Sequence, residues 1–143
     1  MTFDTIINKV WRVVLDTNVL ISAIEFGGIC ETIYLQTLKN KIRGITSVIL
    51  IDELEQTLKT KFGYSPEQIN FISSTIQKHF ELVTPIVTLE LLRDKDDNRV
   101  LEAAVAGGCS FIVTGDKDLL SLGIYKSIKI LTPRQFLDQL SHT

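Results

Sequence analysis

The sequence predicts an α/β fold: three layers, α/β/α, built on a central parallel sheet of about four to five strands. Three observations carry this reading. Short apolar runs of strand length, "VVL" at 13–15 and "SFIVTG" at 110–115, alternate with longer stretches of helical period. Strands that alternate with helices favour parallel pairing, with helices covering both faces of the sheet. At 143 residues the chain is about one domain long and can bury a core, so 1–143 is read as a single domain.

The elements follow in order. Val13, Val14 and Leu15 form the opening strand, and Val19, Ile21 and Ile24 lie on the helix after it. Cys30, Ile33, Tyr34, Leu35 and Leu38 suit a second amphipathic helix, and "IRGITS" is a short strand. From Val48 to Thr60, Ile49, Leu50, Leu54 and Leu58 mark a helix face, with Ser47 as its cap. Ser65 caps the next helix, Pro66 takes its first position, and Ile69, Ile72 and Ile76 share a side. "ELVTPIV" reads as a modest strand. "DDNRVLEAAVAGG" reads as an Ala-rich helix stopped at Gly107-Gly108. "SFIVTG" and "IKIL" supply two further strands, and "TPRQFLDQL" closes as a helix capped by Thr132.

Hydrophobic residues make up 45% and charged residues 22%, which describes a globular protein rather than a disordered one. A net charge of −2 excludes a generally basic nucleic-acid binder, although a local basic face can coexist with it. Cys30 and Cys109 have no CxxC or Cys/His spacing, which argues against zinc and against a structural disulfide. The opening "MTFDTIINKVWRVV" lacks the basic and long apolar regions of a signal peptide. The longest apolar run, "VILI" at 48–51, is too short to span a membrane. A soluble, cytoplasmic protein without a membrane partner is expected.

In a parallel sheet, ligands bind outside the carboxyl ends of the strands, where the strand order switches. Asp16 directly follows the first strand, and Asp116 lies just past "FIVTG". Asp97 opens the Ala-rich helix beside Asp94 and Asp96. Glu53 stands on the second turn of its helix and leans toward the helix start, back at the same edge. Four acids from four elements therefore face one crevice. Crowded carboxylates raise one another's pKa, and the usual remedy is a hard divalent cation bound through oxygen, Mg²⁺ or Mn²⁺, as one ion or two.

Ordinary uses compete for each acid. Asp16 and Asp97 can cap helices, Asp116 and Asp118 can cap the turn after Gly115, and Glu53 can be solvated. Their joint placement is what favours a site. "DKDDNR" opens like a calcium loop, but Arg99 stands where that loop needs Gly and Val105 where it needs Glu. His79 and His142 lie outside these positions, and no Ser-His-Asp spacing, Walker loop or GxGxxG is present.

Four segments, "VVLDTNVLISA", "TSVILIDELEQTL", "DKDDNRVLEAAVAGGCSFIVTGDKDLL" and "IKILTPRQFL", resemble the PIN-domain ribonucleases across about residues 13–137. The wording is closest to the bacterial and archaeal branch described as toxins of toxin–antitoxin pairs. The resemblance implies a PIN-like fold in which Asp16, Glu53, Asp97 and Asp116 are the catalytic, metal-binding acids. Asn18 then orients Asp16 or a bound water, Ser47 opens the helix of Glu53, and Thr114 ends the strand before Asp116. Thr17, Asp96 and Asp118 are auxiliary, with Asp96 abutting Asp97 as the alternative ligand.

The implied activity is Mg²⁺- or Mn²⁺-dependent hydrolysis of single-stranded RNA. The implied partners are an antitoxin protein and a second copy, docked through the apolar faces of 30–40 and 67–80. Lys39, Lys41, Arg43, Lys59 and Lys61 are candidate phosphate contacts as well as ordinary helix-end charges. Tyr34, Phe62 and Tyr64 can stack bases or pack in the core. Two other readings compete: a non-catalytic RNA-binding or regulatory domain, and an aspartate-nucleophile phosphatase using Asp16. The phosphatase wants a second acid two positions on, where this chain has Asn18.

Overall fold

The structure is a computed structural model describing residues 10–142; most of the stretch read for a signal peptide, residues 1–9, lies outside the described residues. The chain runs β1 (Arg12–Leu15), α1 (Thr17–Glu25), α2 (Gly28–Leu38), β2 (Arg43–Thr46), α3 (Val48–Phe62), α4 (Pro66–His79) and β3 (Glu81–Leu82). It continues through α5 (Lys95–Ala106), β4 (Phe111–Val113), α6 (Lys117–Leu122), β5 (Ile124–Tyr125), β6 (Ile128–Leu131) and α7 (Pro133–Ser141). The capping residues expected from the sequence act as such. Ser47 accepts from the Leu50 N–H, and Ser65 and Thr132 each form a reciprocal capping box, with Gln68 and Gln135. Gly63, with φ of 67°, ends α3 in the left-handed conformation that suits glycine.

The strands form one sheet in the order β3-β2-β1-β4-β6-β5, parallel throughout except for the β5–β6 pair. The sheet therefore has six strands rather than four to five. β5 is the addition: two residues that fold back antiparallel on β6, too short to announce themselves by pattern. α6 also fills a stretch expected to be only a turn.

Side chains alternate across a strand, so Val13, Leu15, Phe111 and Val113 face one side, while Val14 and Ile112 face the other. The first side packs Ile33, Leu58, Ile76 and Phe136 from α2, α3, α4 and α7; the second packs Val100, Leu101, Ala104 and Leu119 from α5 and α6. Both faces of the sheet are thus covered, as a parallel sheet requires. Cys109 is buried and Cys30 half-buried, both as free thiols. No single helix among the described residues is long and apolar enough to cross a membrane.

Two features position the site. First, the chain builds outward from β1 through β2 to β3, then returns to lay β4 on the other side of β1. The strand order reverses between β1 and β4, and a crevice opens outside their carboxyl ends. Second, α3 does not run straight back along the sheet. Its Leu50 packs in the core of one face and its Leu54 and Leu58 in the core of the other, so the helix passes over the carboxyl edge.

Gly44 in β2 lies under Phe80; a Cβ there would come within 2.5 Å of the ring. Gly44→Ala should destabilise the fold by about 1–3 kcal/mol, as overpacking of a close-packed core does. Urea denaturation measures this, and an unchanged midpoint would refute the packing argument.

Candidate metal centre

Asp16 sits at the start of α1 yet does not serve it as a cap, since its carboxylate makes no capping hydrogen bond. Its backbone N–H continues the sheet by donating to the Val113 carbonyl at 2.9 Å. Its buried Oδ2 accepts from the Thr114 hydroxyl at 2.6 Å. The same hydroxyl accepts from the Asp116 N–H at 3.0 Å, so one fully buried side chain ties the ends of β1 and β4 together. Burial raises the Asp16 pKa, against the Thr114 hydrogen bond and the nearby Thr17 and Asn18 N–H groups, which favour the charged form.

Asp97 also escapes capping. The N-cap of α5 is Asp94, whose carboxylate accepts from the Asp96 N–H at 2.8 Å, so Asp97 falls inside the first turn. Asp96 is exposed at the cleft, whereas Asp97 is buried, and the Oδ2 of Asp97 has no hydrogen-bond partner. An unpartnered buried carboxylate oxygen is costly unless a cation meets it. Burial, the Asp116 charge, a proton-sharing contact with Asp116, and the charges of Asp94 and Asp16 push Asp97 up to about 7.

Asp116 caps α6, its Oδ1 accepting from the N–H groups of Asp118 and Leu119. Carboxylate oxygens of Asp97, Asp116 and Asp118 all lie within 4.8 Å of one another, a spacing that one divalent cation could bridge. Asp118, expected only as an auxiliary acid, is thus a member of the tight group, with Arg93 3.5 Å away on its outer side. Asp16 and Glu53 line the same cleft.

That cleft, of about 260 Å³, is lined by Asp16, Asn18, Glu53, Thr57, Lys61, Asp94, Asp96, Asp97 and Asp116. All four acids selected from the sequence therefore converge. Glu53 arrives because α3 crosses the sheet edge, and it shares a side-chain hydrogen bond with Thr17. Burial, then the charges of Asp96, Asp16 and Asp94, raise it to about 7. Ser47 stays beneath, buried as the cap of α3.

The other basic candidates lie elsewhere. Lys39, Lys41 and Arg43 are at the amino end of β2, the opposite edge of the sheet, where Arg43 approaches Glu81 at 3.8 Å. Lys59 faces a separate groove between α3 and α4, which Tyr64 also lines. Tyr34 and Phe62 pack against the core. Sequence reasoning left Thr57 out of the site, and it placed Lys61 at a helix end without linking it to the acids. The signal was present: residues 53, 57 and 61 stand four apart, one above another on a helix.

The segment 83–94, which leads into α5, is strapped to that helix through backbone atoms. The Asn98 amide bonds both the N–H and the carbonyl of Leu92, each at 2.8 Å. Glu102 accepts from the Leu89 N–H at 2.7 Å, and Arg99 donates to the Leu89 carbonyl and to Glu102. These bonds fix the approach to Asp94 and so the entry into the acidic turn.

A doubly covered, mostly parallel sheet with a carboxylate cluster at its switch point defines a class of α/β domain whose sheet edge could hold a cation. The PIN domain family matches residues 12–118, and the chain belongs to that family. PIN domains are typically nucleases, and the family usually uses divalent metals. The chain is 32% identical to the uncharacterized protein MJ1680 of Methanocaldococcus jannaschii, over 90% of each chain. The crystal structure of PAE2754 from Pyrobaculum aerophilum shares the fold with a TM-score of 0.56 at 17% identity, covering 94% of this chain and 91% of that one.

The raised acids give a signed pH dependence. Asp97 and Glu53 titrate near 7 when folded and at ordinary carboxylate values when unfolded, so the folded chain binds extra protons between those limits. Their contribution to metal-free stability is greatest in acid and is lost as pH rises through about 7. In EDTA, Tm should drop between about pH 5 and about pH 8. Asp97→Asn should flatten that drop and raise Tm at the alkaline end. A flat wild-type profile, or no gain from Asp97→Asn, would contradict a shared cluster.

Proposed function

We propose that this PIN domain is a Mg²⁺- or Mn²⁺-dependent endoribonuclease that hydrolyses phosphodiester bonds of single-stranded RNA. The observation that carries the reading is the buried, unpartnered Oδ2 of Asp97, in a carboxylate set within reach of Asp116 and Asp118. Asp97, Asp116 and Asp118 would hold the ion, with Asp16 and Glu53 facing it across the cleft. A bound divalent cation supplies two things here: a lower pKa for water, and charge neutralisation at the phosphate under attack.

The chain's own residues set the rest. Thr114 holds the Asp16 carboxylate in one orientation, and Thr17 lies beside Glu53, where it favours the charged form. Glu53, raised to about 7, can keep a proton on its carboxyl group near neutral pH or release it there. Asn18, exposed at the rim, is placed to orient water or the Asp16 carboxylate.

The proposal extends to a cytoplasmic toxin restrained by an antitoxin protein, and to a homodimer. Ile33 and Ile76 of the two candidate dimer helices are buried in the protomer's own core, while Leu35 and Phe71 remain exposed for a partner.

The test is cleavage of a mixed pool of single-stranded RNAs, with Mn²⁺ or with EDTA, by the wild type and Asp97→Asn. Expected are cleavage by the wild type only with metal, and a loss of about a hundredfold or more in the variant. Activity surviving both EDTA and the substitution would overturn the assignment.

A further inference from the structure

Six acids line the cleft, and one lysine joins them. A polyanionic strand approaching this lining meets six acids and two neutral polar groups, and Lys61 is its one cation. Lys61 belongs to the stripe Glu53, Thr57, Lys61 on α3, whose side faces the acids because the helix passes over the sheet edge. Eight residues of helix place it about 12 Å along the axis from Glu53. Its side chain leans back toward the helix start, and so toward the acids.

Lysine in an acidic cleft would be expected to pair with a carboxylate. Lys61 does not: among the described residues the ion pairs involve Arg12, Arg43, Arg93 and Arg99. Its exposed ammonium is free for another anion.

We propose that Lys61 captures a backbone phosphate of the RNA strand, the one flanking the phosphate that faces the carboxylates. This rests on the ribonuclease reading, and it adds how a strand is drawn into a cleft that otherwise repels it. The separation along α3 sets Lys61 to one side of the cluster, so its phosphate is a neighbour of the reacting one. The contact is a charge-assisted hydrogen bond that reads the backbone and carries no base preference.

A competing use is complementing the helix dipole, since Lys61 lies in the last turn of α3. Lys78 has the same position in α4, outside the cleft, and serves as the control.

The experiment measures binding of a fluorescein-labelled oligouridylate in Ca²⁺ across a salt series, and KM and kcat for its cleavage in Mn²⁺. The proteins are the wild type, Lys61→Ala, Lys61→Arg and Lys78→Ala. Lys61→Ala should weaken binding and raise KM about five- to tenfold, and reduce the salt slope by about 0.7, the value of one phosphate contact on a single strand. Its kcat should stay within about twofold. Lys61→Arg should keep most of the binding, and Lys78→Ala should bind as the wild type does.

Equal binding by the wild type and Lys61→Ala, or equal losses in Lys61→Ala and Lys78→Ala, would overturn the proposal. Lys61-dependent binding without any cleavage by the wild type would uphold the phosphate contact and remove the nuclease reading. Asp97-dependent cleavage with unaltered binding by Lys61→Ala would do the reverse.

Discussion

The hydroxyl of Thr114 is the point on which the site turns. It is fully buried, donates a hydrogen bond to Asp16 and accepts one from the backbone N–H of Asp116. β1 and β4 are neighbours, with Leu15 opposite Val113, so the residues that follow them must share a small space. Two acids in that space repel, and a neutral group that bonds to both ends lets them coexist without neutralising either. A positive side chain would have paired Asp16 and closed the cleft to any cation. A hydroxyl leaves it open.

The crowding is tolerated because the two covered faces of the sheet supply the stability that the edge gives up. The acids sit just past the ends of central strands and on the first two turns of helices packed against them. Little in the cleft can relax away from the repulsion. That rigidity is what leaves Asp97 with an oxygen facing no partner, and what makes a cation the natural complement of the site.

Much of this was legible in the sequence. Asp16 and Asp116 could be placed because each comes within three residues of the end of a short apolar strand, and strand direction alone sets which edge they occupy. Asp97 was readable from its helix, although the true cap, Asp94, lies three residues earlier and frees it from that duty. Other features depend on directions that periodicity does not encode. The pattern of α3 shows which side is apolar and that residues 53, 57 and 61 share one stripe, but not that the helix passes over the edge and turns that stripe toward the acids. "ELVTPIV" has the composition of a strand, yet pairing stops after Leu82 apart from one further bond from the Val83 N–H. Pro85 has no N–H to continue a ladder, and the backbone beyond is claimed by α5. Asp118 gained its place through the short helix α6, which no pattern announced.

The strap over α5 is hydrogen-bonded at the N–H and carbonyl groups of Leu89 and Leu92, whose side chains pack inward against the core of the second face. Its outward residues, Ile86, Val87 and Leu91, are exposed. A segment held by its main chain can exchange side chains without moving its anchor, since every residue but proline offers the same donor and acceptor. The outward positions of this segment are therefore free to change, while the turn of aspartates that it leads into keeps its place. Change is confined to one side of the strap and chemistry to the other.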